Sequence, residues 1–410
     1  MTYVKGLRCI ECGREYKIDP IYVCEFCFGP LEVTYDYERI KKDMTKQKVE
    51  SRPHHMWRYR ELLPIDGDPA TGFDTGFTPL MNAQNLAKAW GVKEIYLKDD
   101  SVNHPTLSFK DRVVAVAITK AKEFGFDTVA CASTGNLANS VAAQAARAGM
   151  KRFIFTPSDL ELSKTINSLI YQPNLVTVDG NYDEVNRLCS EVANKYQWAF
   201  VNINIRPFYG EGSKSLGFEI AEQLGWKTPH NIVVPNASGS LMTKIWKAFK
   251  ELEKIGLVPP VQTRVFAAQA TGCNPIALAI KEGSDIVKPV KPKTIAKSLA
   301  IGNPADGYYA VKVTRDTGGF GADSSDQEIV DAIKLLAETE GVFAETAGGV
   351  TVSATRKLID AGKIPKDETL VMCITGNGLK TTEAVFDHLK RPTPIKPNID
   401  SFEELLKKIS

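Results

Sequence analysis

The sequence has almost no excess charge of either sign. Its 410 residues include 51 lysines and arginines against 49 aspartates and glutamates, which gives a formal net charge of +2 at pH 7. Proteins that bind nucleic acid or an anionic membrane surface carry a clear basic excess or a basic stripe. We therefore expect neither nucleic acid nor a membrane among the partners.

Long apolar runs are also missing. No stretch is long enough to cross a bilayer, and residues 1–9 lack the apolar core of a secretory signal. We expect a cytoplasmic protein. The five histidines show no spacing typical of a metal site or a catalytic triad, so we interpret them as structural. They are His54, His55, His104, His230 and His388.

Cysteines are few outside one cluster. Four of the eight lie in the first 27 residues as two Cys-x-x-Cys pairs separated by eleven residues, Cys9/Cys12 and Cys24/Cys27. Two such pairs predict a tetrahedral thiolate site of the zinc-ribbon type, with a structural Zn²⁺. Rubredoxin-like iron uses the same ligands and stays an alternative. The ribbon carries acidic as well as basic residues, which argues against binding of nucleic acid.

What the sequence does contain is an alternation of short apolar strands with helical patterns from about Glu94 onward. A charged stretch before it, residues 38–52, is interpreted as a solvated helix. Apolar rather than alternating strands predict an α/β fold whose parallel sheet is covered by helices on both faces. The predicted strands lie near residues 95–97, 128–132, 153–155, 175–178, 232–234, 265–267 and 370–374, and the predicted helices near 109–124, 136–148 and from 241.

Ligands of parallel sheets bind where strands end and helices begin. After the first of these strands, Ser108 is a candidate N-cap, and Lys110 falls in the first turn of the next helix. The helix dipole disfavours a cation there, which favours the neutral amine that attacks an aldehyde. Taken alone, Lys110 could equally be a surface lysine beside an Asp-Arg pair.

Three further loops follow strands. Residues 132–136 (Ala-Ser-Thr-Gly-Asn) and 235–240 (Pro-Asn-Ala-Ser-Gly-Ser) precede helices and suit a carboxylate or phosphate. Thr375 supplies a hydroxyl after the last strand. Each loop alone is as well explained as an ordinary turn. Together they offer an amine, two anion sites and a hydroxyl, a set that suits pyridoxal 5′-phosphate (PLP).

Several ordered motifs from Gly76 onward resemble the threonine synthases, a family of the fold-type-II, tryptophan-synthase-β-like PLP enzymes. The resemblance implies two open, mostly parallel sheets flanked by helices, a homodimer and a small-molecule substrate. Relatives often carry the ribbon too. The motifs are residues 76–80 (Gly-Phe-Thr-Pro-Leu), 108–112 (Ser-Phe-Lys-Asp-Arg), 132–136, 209–215 (Tyr-Gly-Glu-Gly-Ser-Lys-Ser), 301–304 (Ile-Gly-Asn-Pro) and 375–380 (Thr-Gly-Asn-Gly-Leu-Lys).

The resemblance also assigns roles. Lys110 would hold PLP as a Schiff base and move protons, Asn136 would bind the PLP 3′-oxygen, and Thr375 would face the ring nitrogen. The cofactor phosphate would lie on Asn236, Ala237, Ser238, Gly239 and Ser240. Ser133 and Thr134 would bind the substrate carboxylate. Arg206 and Lys214 are our candidates for the substrate phosphate.

The implied reaction converts O-phospho-L-homoserine and water to L-threonine and phosphate. A threonine or serine dehydratase of the same fold is the alternative, and a regulatory protein that kept the fold is a more distant one. Many relatives have Gly where this chain has Leu107 and Thr where it has Leu137, and the second difference removes a hydroxyl that could touch the substrate. The expected domains are a ribbon (1–36), a large PLP-binding domain (37–125 and 213–410) and a small α/β domain (126–212).

Overall fold

The structure is a computed structural model that describes residues 2–158, 162–180, 182–389 and 392–409. Within them the strands form three sheets, of three, six and four strands. The strands are β1 (Val4–Cys9), β2 (Glu15–Tyr16), β3 (Leu31–Tyr35), β4 (Leu80–Asn82), β5 (Glu94–Asp99), β6 (Thr128–Ala132), β7 (Lys151–Pro157), β8 (Asn174–Val178), β9 (Ala199–Phe200), β10 (Asn231–Pro235), β11 (Arg264–Ala270), β12 (Gly321–Ser324) and β13 (Thr369–Ile374).

Helices cover the two larger sheets. The α-helices are α1 (Tyr37–Asp43), α2 (Lys46–Glu50), α3 (Gln84–Trp90), α4 (Lys110–Glu123), α5 (Asn136–Arg147), α6 (Leu162–Leu169), α7 (Tyr182–Tyr196), α8 (Arg206–Glu211), α9 (Lys214–Gln223), α10 (Ser240–Lys254), α11 (Pro275–Glu282), α12 (Gly307–Asp316), α13 (Asp326–Glu340), α14 (Thr346–Asp360) and α15 (Ile399–Ile409). Short 3₁₀ segments lie at Met56–Leu62, Asp100–Val102, Lys297–Leu299, Gly378–Lys380, Thr382–Ala384 and Phe386–His388. No helix of the described chain is long and apolar enough to span a membrane.

The six-stranded sheet has the order β12-β11-β10-β13-β5-β4. Its neighbours are parallel except for the edge strand β4, which runs antiparallel to β5. The central strands β10 and β13 are buried almost throughout, because each lies between helical layers and its apolar side chains face them on both sides. The prediction of a parallel α/β sheet is confirmed.

The four-stranded sheet is parallel, with the order β8-β7-β6-β9. Its strands run from residue 128 to residue 200, inside the range 126–212 that we expected as a smaller domain. The exact domain boundaries stay a prediction.

Two local expectations are wrong. Residues 38–52 form two helices, α1 and α2, rather than one, and they bury Ile40, Met44 and Val49, so this segment packs on the body instead of lying free in solvent. Ser108 does not cap α4. It forms an antiparallel bridge with Gly376, Phe109 takes the N-cap position, and the Ser108 hydroxyl has no hydrogen-bond partner.

The small three-stranded sheet, β2-β1-β3, is antiparallel and packs against the body through polar contacts. The Tyr35 hydroxyl donates to Glu211 at 2.8 Å, and Lys244 donates to Glu32 at 2.6 Å. The ribbon is thereby attached to α8 and α10, the helices that flank the residues described next.

Candidate active site

Lys110 is the first residue of α4, as the helical spacing predicted. Its side chain is half-buried, and its amine lies 3.1 Å from the hydroxyl of Tyr209 on α8. The ammonium group also lies within 6 Å of the Phe109 and Tyr209 ring centres. The Phe109 and Tyr209 rings and the Tyr209 hydroxyl therefore surround the amine at the start of α4. The helix dipole opposes a positive charge at that position.

The residues after β13 run beside Lys110. The Phe109 N–H donates to the Thr375 carbonyl at 2.9 Å, and the Asn377 N–H donates to the Leu107 carbonyl at 3.1 Å. Leu107 has φ +58°, the left-handed region where glycine has no steric cost, which accounts for the glycine expected there in relatives. These contacts place the Thr375 segment against the start of α4.

Residues 236–240 form a turn from β10 into α10. Within the described chain, the N–H groups of Ala237, Ser238 and Gly239 donate to no protein acceptor. Gly239 has φ +94°, and a Cβ there would lie 2.7 Å from the carbonyl oxygen of Asp306. Free N–H groups at the start of a 15-residue helix make a phosphate cradle, and Gly239 lets its backbone take that shape.

Asn136 begins α5, on the four-stranded sheet. Its amide donates to the carboxyl of Glu345 at 2.9 Å. Glu345 immediately precedes α14, and its N–H donates to the Gly376 carbonyl. Asn136 and the Thr375 loop are thus joined through Glu345, a residue that the sequence analysis missed because it follows no strand. Its one sequence signal is a glutamate directly before an Ala- and Gly-rich helix.

Ser133 and Thr134 lie in the same turn as Asn136 and are half-buried. The Ser133 hydroxyl accepts from the Gly135 N–H at 3.3 Å, and the Ser133 N–H donates to Phe155 at 3.2 Å. The turn therefore presents both side chains at the start of α5, the kind of place where a carboxylate binds.

The two basic candidates differ. Arg206 is partly exposed and pairs with Asp306 at 3.1 Å, and Asp306 donates its N–H to the Ser238 carbonyl, so Arg206 borders the phosphate cradle. Lys214 is fully buried between Glu211 at 2.7 Å and Glu251 at 2.8 Å. The structure does not bring its ammonium group to the other site residues.

A buried ion-pair network supports α4. The Arg112 guanidinium contacts Asp100 at 2.7 Å and Glu219 at 2.5 Å, and Lys98 contacts Glu219 at 2.7 Å, with all four side chains inaccessible to solvent. Although burial opposes ionisation, the nearby Arg112 and Lys98 charges lower the pKa of Glu219 to about 2. Strand β5 and helices α4 and α9 are tied together at this point.

Asp111, next to Lys110, links α4 to α5. Its carboxyl accepts from the Thr106 N–H and hydroxyl, both at 2.8 Å, and from the Ser140 hydroxyl at 2.6 Å. Burial raises the pKa of Asp111 to about 6, although these three hydrogen bonds oppose the rise. Asp111 therefore fixes the loop before Lys110 to the helix that carries Asn136.

The four N-terminal cysteines also come together. Their sulfur atoms all lie within 4.8 Å of one another, as a tetrahedral metal site requires. Gly13 has φ +75° in the turn after the first pair, whereas after the second pair the left-handed residue is Phe28. Gly29 is needed for space, because a Cβ there would lie 3.0 Å from the Cys9 sulfur. The other four cysteines, Cys131, Cys189, Cys273 and Cys373, are buried.

The model of the family described as "Pyridoxal-phosphate dependent enzyme" matches residues 73–376 of this chain. The chain belongs to that enzyme family. A model described as "NinF protein" matches only residues 8–32, within the ribbon. Two relatives named threonine synthase span almost the whole chain. The one from Methanocaldococcus jannaschii is 38% identical over 98% of this chain and 99% of its own length, and the one from Methanosarcina acetivorans is 39% identical over 98% of both.

Solved structures of PLP-dependent enzymes show the same fold. Maize serine racemase superposes with a TM-score of 0.62 at 22% identity, covering 76% of this chain and 92% of that one. Threonine deaminase isoform 2 of Solanum lycopersicum gives 0.63 at 22% identity, covering 75% and 83%. At this identity the likeness establishes the fold alone, which confirms the fold-type-II prediction.

The cofactor of the family fits the residues present. An amine at a helix start, free N–H groups at a second helix start, and a hydroxyl and an amide on two further loops are the groups that suit the aldehyde, phosphate and ring atoms of PLP. When bound, PLP supplies an electron sink that stabilises negative charge at a substrate carbon.

Proposed function

We propose that this chain is a threonine synthase that converts O-phospho-L-homoserine and water to L-threonine and phosphate, a step of threonine biosynthesis. The observation that carries the proposal is similarity to two threonine synthases over practically their entire lengths, at 38% and 39% identity. The reaction is a lyase reaction at a carbon–oxygen bond, in which phosphate leaves from Cγ and water adds at Cβ.

In this proposal Lys110 is the catalytic residue. Its amine would hold PLP, and once the substrate is bound it would remove protons from Cα and Cβ of the substrate. Asn136 and Thr375 would hold the cofactor ring, and residues 236–240 would hold the cofactor phosphate. Thr375 would face the ring nitrogen with a neutral hydroxyl, so the proton transfers would fall to Lys110.

We propose that Ser133 and Thr134 bind the substrate carboxylate and that Arg206 binds the substrate phosphate. Arg206 borders the phosphate cradle and is partly exposed, so it can reach a bound anion. We leave Lys214 out, because its buried ammonium group is already paired with two carboxylates and breaking those pairs would be costly.

A dehydratase of the same fold is the second candidate that the sequence allowed. The likeness to threonine deaminase rests on 22% identity and supports only the shared fold, whereas full-length similarity favours the synthase. A regulatory protein without turnover is disfavoured by Lys110, which the structure keeps at the start of α4 beside the Thr375 loop.

The test is to supply the PLP-loaded protein with O-phospho-L-homoserine in one reaction and L-threonine in another. Phosphate and threonine in equal amounts, absent with Lys110→Ala, are the expected result. A matched Lys195→Ala variant, changed on α7, should keep wild-type rates. Production of 2-oxobutyrate from L-threonine, with no reaction of O-phospho-L-homoserine, would show that the protein is a dehydratase and contradict the proposal.

We further propose that the four cysteines hold one structural Zn²⁺, that the enzyme is a cytoplasmic homodimer, and that neither nucleic acid nor a membrane is a partner. The thiolates in a closed set of four support zinc, and the family resemblance supports the dimer. Two chains of 45.1 kDa give a mass of 90.2 kDa, which light scattering after gel filtration would measure.

A further inference from the structure

Glu345 is a buried acid in an unusual place. It occupies the N-cap position of α14, yet its side chain makes no capping hydrogen bond to that helix. It is 2% exposed, although glutamate is rarely buried without a charged partner. Capping therefore does not explain why a carboxyl lies here, and its other contacts are informative.

Glu345 accepts a hydrogen bond from the Asn136 amide at 2.9 Å, 209 positions away in the chain, and the Thr375 side chain is a further hydrogen-bond partner of its carboxyl. An asparagine amide has two N–H groups. With one donated to Glu345, the plane of the amide is fixed and the direction of the second N–H is set. Because the two residues start helices on different sheets, the contact also fixes α5 relative to α14.

Gly376 makes room for this carboxyl. A Cβ at Gly376 would lie 2.5 Å from the Glu345 carboxyl carbon, so any other residue would displace it. The Glu345 N–H donates to the Gly376 carbonyl at 2.9 Å. The backbone next to Thr375 and the Asn136 amide therefore both contact Glu345 directly.

No ion pair of Glu345 occurs within the part of the chain that the structure describes. Burial raises the pKa of its carboxyl, while the Asn136 amide, the more distant charges of Lys380 and Lys110 and the hydrogen bond from the Thr375 side chain oppose the rise. Lys380 itself donates to the Thr106 carbonyl. A buried carboxyl whose nearest partner is a neutral amide suits hydrogen bonding rather than charge pairing.

We infer that Glu345 is a positioning residue of the active site, whose carboxyl holds the Asn136 amide so that its second N–H is directed at the 3′-oxygen of PLP. The inference rests on the proposed role of Asn136. It predicts that Glu345 contributes to cofactor binding through Asn136 and that any side chain able to accept from the Asn136 amide can replace it.

The experiment compares apparent dissociation constants for PLP, from the absorbance band that develops when apoprotein is titrated with PLP. Glu345→Ala should raise the constant about tenfold, the size of a lost hydrogen bond to a buried group. Glu345→Gln keeps an acceptor and should remain within about threefold of wild type. The matched control is Glu338→Ala, an exposed glutamate on α13, which should change nothing.

A double-mutant cycle separates positioning from a general loss of stability. Asn136→Ala alone should weaken PLP binding, and adding Glu345→Ala to it should have a much smaller effect than Glu345→Ala has in the wild-type background. Additive losses, or a Glu345→Ala protein that binds PLP like wild type, would overturn the inference. If Glu345→Ala does not fold by circular dichroism, Glu345→Met, which keeps the volume without the acceptor, takes its place with the same expectations.

The same samples distinguish this inference from the proposed activity. If the wild-type protein develops the PLP band but releases no phosphate from O-phospho-L-homoserine, the proposed substrate is wrong. The comparison of PLP affinities then still tests the role of Glu345. Wild-type protein that develops no PLP band would overturn both.

Discussion

The Lys110 amine has an uncharged neighbour, the Tyr209 hydroxyl at 3.1 Å. A single hydrogen bond from a hydroxyl can orient the amine. In the proposed mechanism Lys110 moves the protons, so the loss of the hydroxyl beside it should affect turnover more than substrate binding.

We expect Tyr209→Phe to lower kcat by about tenfold with KM nearly unchanged, because the change removes one hydrogen bond and leaves the ring in place. Steady-state release of phosphate measures both constants. Tyr196→Phe, an exposed tyrosine on α7, is the control and should match wild type. Equal kinetics for the two variants would show that the Tyr209 hydroxyl plays no part.

Candidate site residues could be selected from the sequence where they lie in a segment between a strand and the next helix. Lys110, Asn136 and residues 236–240 were selected in this way, and their assigned roles stay predictions. Lys214 was a candidate for the substrate phosphate, whereas in the structure it is buried between Glu211 and Glu251, the second of which lies 37 positions later in the chain. Glu345 was missed because it follows no strand and its contact with Asn136 spans 209 positions. Sequence order conceals such long-range pairs.

Among the elements, β5, α4 and α9 share the buried pairs of Glu219 with Arg112 and Lys98. Removing one partner of a buried ion pair leaves the opposite charge without compensation, at about 3–5 kcal/mol. The strength of this junction determines how firmly α4, and Lys110 at its start, is held.

We expect Glu219→Gln to lower the free energy of unfolding by about 3 kcal/mol near pH 7, measured by urea denaturation. The folded pKa of Glu219 is about 2, below the unfolded value of about 4.3. The contribution is therefore complete above pH 4.3 and is lost as the pH falls toward 2. The difference between wild type and variant should shrink over that range.

Glu403→Gln, at an exposed position on α15, serves as the control and should leave the free energy of unfolding unchanged within about 0.5 kcal/mol. If the difference in the free energy of unfolding between wild type and Glu219→Gln stays constant from pH 6 to pH 2, the role of the carboxylate charge is contradicted.

Elements were predicted better than single contacts. The strand at 128–132 and the helix that begins at Asn136 have the predicted positions, because runs of small apolar residues and a following polar turn specify them locally. The segment 38–52 was interpreted as solvated because its charges outnumber its apolar residues. Its burial depends on contacts with residues far away in the chain, and no local pattern reveals such contacts. One example is the Trp226 indole, which donates to Glu50.

At the scale of the whole molecule, the ribbon contacts the body on α8, α10 and α12. Glu32 accepts from Lys244 on α10, and Glu11 accepts from the Tyr309 hydroxyl on α12. Helix α12 follows Asp306, which contacts the phosphate cradle and Arg206. The metal site is thus joined to the cofactor region through a short series of contacts.

We expect the purified protein to contain about one zinc per chain, measured by elemental analysis. Removing it with a chelator under reducing conditions should lower the melting temperature, because metal binding to four thiolates stabilises the folded ribbon. Restoring Zn²⁺ should restore the original value, and Cys24→Ser should not respond to the metal. Iron in place of zinc in the native protein would identify the rubredoxin-like alternative.

The attachment of the ribbon has a practical consequence for protein engineering. A shortened chain that begins at residue 37 would lack Glu32, which pairs with Lys244 and Lys247. The two lysines would keep Glu211 and Glu251 as acidic neighbours. Because the contacts of Glu32 would be lost, the ribbon is a poor place for a cut or a fusion. The other end of the chain tolerates additions better. Helix α15 exposes most of its side chains, Ile409 among them at 69%, and none of the active-site contacts described above involves this helix, so we expect a purification tag there to leave them intact.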